Sequence, residues 1–167
     1  MLPVRPLWRP ILLGAVFKAV GRGSWGVTER REEGMAEIER RASAYGLPPV
    51  SWPDPWPPDG LQAMRAATFA ERSGFGREFA LAAFRLAFVE GADLGDAAAL
   101  RLAVQRSGGD PDEVAAAIGR QDVKDELRDA TAAAVDLGVI GVPTVAVGER
   151  LFWGDDRLEE AAGDVGS

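Results

Sequence analysis

The residues whose types and spacing suggest chemistry lie near the end of the chain, in the run GVIGVPTVAVGERLFWGDDRLEEA from Gly138 to Ala161. Two adjacent carboxylates, Asp155 and Asp156, follow Trp153 and Gly154 at the start of a helical pattern. Carboxylates at a place where free backbone N–H groups point outward can hold a ligand's ammonium while the helix end takes its carboxylate. Asp156 has a second reading, because an Asp followed three residues later by Glu159 fits an N-terminal capping box. That reading starts the closing helix at the aspartate pair and gives Asp155 no task. Composition closes off other chemistries. With no Cys and no His among 167 residues there is no thiolate or imidazole nucleophile, no CxxC redox pair and none of the common zinc spacings. The remaining means are carboxylates, Lys, Tyr, Ser or a reactive group brought by a bound cofactor.

The elements that must position the aspartates can be read from the same stretch. Thr144 to Val147 and Arg150 to Trp153 are β-rich runs separated by Gly148 and Glu149, the signal for a tight type II′ hairpin. Upstream, Val123, Leu127, Ala130 and Ala134 stripe a helix from Gln121 to Leu137 that Gly138 terminates. A helix begins near Asp110 and Pro111, where proline suits the first turn. Before it the pattern gives helices over Asp93 to Arg106, around Phe75, Phe79, Ala82 and Leu86, and around Leu61, Met64 and Thr68. A charged helix is expected from Thr28 to Tyr45, with Met35, Ile38 and Ala42 on one face and Gly46 as its stop.

Prolines at 48, 49, 53, 55, 57 and 58 require an extended crossing. In it, Trp52 and Trp56 either line an apolar pocket or cover the core beneath. PVRPLWRP at residues 3–10 is strand-like but too broken by proline to be a central strand on its own. GRGSWG at residues 21–26 lacks both the GKS or GKT ending and the GxGxxG spacing, so it reads as a connector and not as a phosphate loop.

Charge and hydropathy narrow the partners. A net charge of -7 argues against nucleic acid and anionic membranes, which call for a dense basic face. Lys18 interrupts the apolar run from Ile11 to Phe17, and no small-x-small cleavage site follows. The run is therefore read as part of a soluble domain, with the cytoplasm as the expected location.

Taken together, GVPT, the eleven-residue step from Val142 to Trp153, and then WGDDR resemble the 2-hydroxychromene-2-carboxylate isomerase and kappa-class glutathione transferase branch of the DsbA-like thioredoxin-fold superfamily. WRPILLGAVFKAVG, the GLPP segment and the helical stretch after it resemble that branch as well, so the likeness spans essentially the whole chain. It implies an α/β fold: one domain over residues 1–167 with a thioredoxin-like sheet, N-terminally incomplete, and an all-helical insertion over about residues 28–120.

The resemblance also implies a site. Pro143 is expected to be cis, and Val142 to offer its main chain to the cysteinyl unit of glutathione or of another low-molecular-weight thiol. Trp153, Gly154, Asp155 and Asp156 match the segment that holds the γ-glutamyl end, which leaves capping as a second use of Asp156. Lys18 matches a substrate-side lysine, or is a solvated surface charge.

The implied activity is glutathione-dependent cis-trans isomerisation of an aromatic catabolite, in which a borrowed thiolate adds to a conjugated bond and leaves after rotation. The family's first strand, its serine-bearing loop and the helix after that loop have no counterpart here, so no catalytic residue is named. The chain by itself is expected to be inactive and only marginally stable. The alternative is a catalytically silent DsbA-like binding module. A homodimer is the expected assembly.

Overall fold

The computed structural model describes residues 6–165. Its helices in chain order are α1 (Leu13–Ala19), α2 (Arg31–Ala44), α3 (Leu61–Arg72), α4 (Gly76–Phe88), α5 (Ala97–Arg106), α6 (Pro111–Ala117), α7 (Gln121–Asp136) and α8 (Leu158–Asp164). Strands β1 (Thr144–Val147) and β2 (Arg150–Trp153) lie between α7 and α8. They pair antiparallel, Thr144 opposite Trp153 and Val147 opposite Arg150, and form the only sheet among the described residues. Gly148 has φ +57° while Glu149 stays out of the left-handed region, the sign pattern of a type II′ turn.

The strand-like PVRPLWRP is not part of that sheet. Residues 3–5 lie outside the described residues, and residues 6–10 carry no strand pairing. Pro6 and Pro10 lack the N–H groups that a ladder needs.

The core lies between the middle helices. Ala66, Phe69 and Ala70 of α3, Phe79 and Leu86 of α4, Leu100, Ala103 and Val104 of α5, Val114 and Ala117 of α6 and Val123 of α7 form one buried cluster. Alanines take up a large share of the contact faces, which lets neighbouring helices approach closely. On α7 the buried stripe is Val123, Leu127 and Thr131, with Ala130 and Ala134 half-buried beside it. Thr131 belongs in the stripe because its hydroxyl is satisfied twice. It accepts from the N–H of Leu12 at 3.0 Å and donates to the carbonyl of Leu127 at 2.7 Å. This ties the start of α1 to α7.

Two helices start later than their patterns suggest, for one shared reason. The Thr28 hydroxyl donates to the Trp25 carbonyl at 2.9 Å and accepts from the Arg30 N–H at 3.3 Å, so residues 28–30 form a turn before α2. Asp93 accepts from the Gly95 N–H at 2.8 Å, and Asp96 rather than Asp93 caps α5 by accepting from Ala98 and Ala99. Short polar side chains offer the backbone local partners that compete with the helix.

No residue of α2 is buried, and Ile38, which shares a face with Met35 and Ala42 in the sequence pattern, is exposed. A cluster of tryptophans holds the helix instead. The Trp25 ring lies so close to Gly34 that any side chain there would strike it, and Trp52 Nε1 donates to Glu39 at 2.7 Å. Trp52 and Trp56 stand edge-on with centroids 4.8 Å apart, and both pack on Phe88. They pack against one another and against Phe88.

Candidate functional site

The loop entering β1 and the turn leaving β2 meet because the hairpin brings its two outer ends together. The N–H of Gly154 donates to the Pro143 carbonyl at 2.9 Å, one step beyond the Thr144–Trp153 pair. Thr144 Oγ1 closes the loop from inside by donating to the Gly141 carbonyl at 2.7 Å. Gly141 is buried under the Trp153 indole, and a Cβ built there would lie 2.5 Å from Nε1. Val142, Pro143, Trp153, Gly154, Asp155 and Asp156 therefore form one neighbourhood.

Within it, the Val142–Pro143 peptide bond is cis. Val142 is 47% exposed, and its main-chain N–H and C=O make no hydrogen bond to another described residue. A backbone donor and acceptor open to solvent can receive an extended peptide-like ligand.

The aspartates do not cap the last helix. Gly154, at φ +114°, turns the chain into a 3-10 turn over Asp155–Arg157, and α8 starts after it with Arg157 at its N-cap and no side-chain cap bond. The capping box expected for Asp156 is thus not made. Both carboxylates face Arg41 of α2 instead. Arg41 Nη2 lies 3.1 Å from Asp155 Oδ1 and 3.4 Å from Asp156 Oδ1, and the Tyr45 hydroxyl donates to Asp155 Oδ2 at 2.8 Å. Burial works against the Arg41 charge. The charge of Asp155, with hydrogen bonds to Tyr45 and Asp156, outweighs it and holds the guanidinium above its ordinary value. The hydrogen bond to Asp155 likewise raises Tyr45, helped by burial.

Arg157, the neighbouring cation, is occupied elsewhere. Its Nε and Nη2 each reach Glu160 at 2.7 Å, a two-pronged pair that lowers Glu160. Its guanidinium and that of Arg150 lie 5.0 Å from the ring centroid of buried Phe152.

Lys18 is exposed in the last turn of α1 and makes no ion pair among the described residues, so no contact joins it to the aspartates. The cation that reaches the neighbourhood from that side is Arg22, 5.7 Å from the Trp153 ring centroid, within cation–π range. Arg41, Tyr45 and Arg22 are the site's additions to the sequence reading. Arg41 and Tyr45 carry one readable sign, their i, i+4 spacing on a single helix face.

Chemically, the arrangement is a carboxylate pair closed on a guanidinium and a phenol, beside the unpaired main chain of Val142. Residues 4–166 match the DsbA-like thioredoxin domain. A 2-hydroxychromene-2-carboxylate isomerase of Sphingobium xenophagum is 30% identical over 125 residues. The match takes in 75% of this chain and 63% of that protein, so the chain spans less than two thirds of its relative's length. A solved structure of a 2-hydroxychromene-2-carboxylate isomerase superposes with a TM-score of 0.76 at 21% identity, covering 93% of this chain and 77% of that one. With a family match over nearly its whole length, the chain belongs to the DsbA-like thioredoxin domain family.

Proposed function

We propose that the chain serves a thiol-dependent cis-trans isomerase like the 2-hydroxychromene-2-carboxylate isomerase it resembles, with glutathione or another low-molecular-weight thiol as cofactor and an aromatic catabolite as substrate. The observation that carries this reading is the unpaired main chain of Val142 lying in one neighbourhood with Asp155 and Asp156. The residues present fit such a cofactor: Val142 can pair with its peptide, and the aspartates can hold its ammonium.

When bound, the thiol supplies the nucleophile that the chain's own side chains, without Cys or His, do not. The chain's part is to bind and orient. Gly141 fixes the Trp153 indole, Gly154 ties the turn to Pro143, and Asp155 and Asp156 set the far end of the ligand. Lys18 is read as a substrate-side cation. A cytoplasmic homodimer belongs to the same proposal.

The test is titration calorimetry with glutathione, followed by chromatography of a hydroxychromene carboxylate incubated with the protein, with and without the thiol. Saturable binding with thiol-dependent isomerisation supports the enzyme. Binding with no turnover leaves a silent binding module. No binding removes the thiol from the account.

A further inference from the structure

Helix α4 is apolar on two sides, and the fold covers only one of them. Phe79, Ala83 and Leu86 are buried in the core, while Leu81 and Phe84 on the outer side are 44% and 60% exposed. A helix that is apolar all round is ordinarily covered all round. We infer that the outer face of α4 is a contact between two copies of this chain, packed antiparallel about a two-fold axis that passes between Leu81 and Phe84. The inference rests on the homodimer in the reading above and assigns it a surface.

The face has the spacing of a helix pair. Leu81, Phe84 and Phe88 follow one another at steps of three and four, which makes an a and d seam. The Phe84 ring stands 6.3 Å from that of Phe88, and Phe88 is held by Trp52 and Trp56, with centroids at 6.0 and 5.6 Å. Beside the stripe lies a groove of about 430 Å³, lined by Leu81 and Ala82 together with Glu78, Arg85, Glu90 and Arg106. A ridge next to a groove is what the side chains of a second helix interlock with.

The charges choose the partner. Glu90 and Arg106 pair with each other. Glu78 has only Arg77, at 4.0 Å, and Arg85 has no ion partner among the described residues. Glu78 and Arg85 stand seven residues apart, about 10.5 Å along the helix, too far to pair within one chain. When two copies lie antiparallel with Phe84 of each over Leu81 of the other, Glu78 of each copy comes within reach of Arg85 of the other. A parallel arrangement would set Glu78 against Glu78 and Arg85 against Arg85, which opposes association. The face is therefore its own complement, as a two-fold contact requires. With 13 residues α4 is about 20 Å long, so the contact falls at the small end of specific interfaces and the dimer is expected to be reversible, in the micromolar range.

Sedimentation equilibrium of the full chain over a wide range of protein concentration is the test. Wild type is expected to pass from monomer to dimer. Phe84→Ala should weaken the dimer about tenfold or more. Glu78→Arg and Arg85→Glu should each do the same, because each sets like charges against one another across the axis. Mixed in equal amounts, those two charge variants should associate again, since every altered residue then meets its opposite on the other chain. Both side chains are exposed, so the variants keep the fold, which circular dichroism checks. Charge variants that dimerise like wild type, or that stay monomeric when mixed, overturn the inference. A wild-type dimer that no variant weakens overturns it too, but leaves the homodimer on another surface. A wild type monomeric at every concentration removes the homodimer as well and leaves the face to a different protein.

Discussion

The hydroxyl of Tyr45 donates a 2.8 Å hydrogen bond to Oδ2 of Asp155, joining residues 110 positions apart. The bond exists only while the phenol keeps its proton, so it raises the pKa of Tyr45. The folded value is raised, and its stabilisation is therefore present in full below the unfolded value near 10 and is lost as pH rises through the folded value. Tyr45 is the sole tyrosine of the chain, so phenolate absorbance reports it alone. The expected midpoint lies above about 10 in wild type and falls back toward it in Asp155→Ala. A wild-type midpoint at or below the ordinary value would contradict the bond.

Asp156 has no capping bond to lose, and its side chain is largely exposed. Asp156→Asn and Asp156→Ala should therefore both change stability by no more than about 0.5 kcal/mol. A cap would separate them by about 1 kcal/mol. Urea denaturation of the two variants decides, and an alanine clearly weaker than asparagine would restore the cap.

What the sequence discloses and what it hides divide by distance along the chain. Gly148 at the hairpin, Asp110 with Pro111 at the start of α6 and Gly138 after α7 are legible, because each acts on backbone within a few residues of itself. The late starts of α2 and α5 are local as well, but there the side chains of Thr28 and Asp93 choose turns over helix, a contest the apolar spacing does not record. The neighbourhood of Val142, Trp153 and the aspartates is legible only as a likeness to a family motif. Arg41 and Tyr45 approach Asp155 through a helix more than a hundred residues upstream, and nothing near the aspartates announces them. Electrostatic pairing of that kind is set by packing.

Gly141→Ala should disturb the site from beneath. A Cβ there meets Trp153 Nε1 at 2.5 Å and Cε2 at 2.9 Å, so the indole must swing away. The expected cost is about 1–3 kcal/mol in thermal or chemical unfolding. Repeating the substitution in a Trp153→Ala background should remove most of that cost, since the clash has gone. Simple additivity of the two changes would count against the contact.

Thr131→Val keeps the shape of the side chain and removes both hydrogen bonds, leaving the Leu12 amide without its partner. A loss of about 1–3 kcal/mol is expected. Thr131→Ser retains both bonds and loses one methyl group. Hydrogen exchange at Leu12 should quicken in the valine variant and not in the serine variant, and equal rates in the two would deny the tie between α1 and α7.

Helix α2 has no buried residue, and its two halves are fastened differently. Trp25 presses on Gly34 near one end, while Arg41 grips Asp155 and Asp156 at the other. Dissolved ions screen the second fastening, and strongly hydrated salts such as sulfate tighten the first. Hydrogen exchange at rising salt would show the difference as faster exchange over residues 41–46 with residues 31–38 unmoved. Ionic strength is thus expected to loosen one end of α2 and leave the other in place: the tryptophan end is salt-proof, and the end over the aspartates is the one that salt addresses.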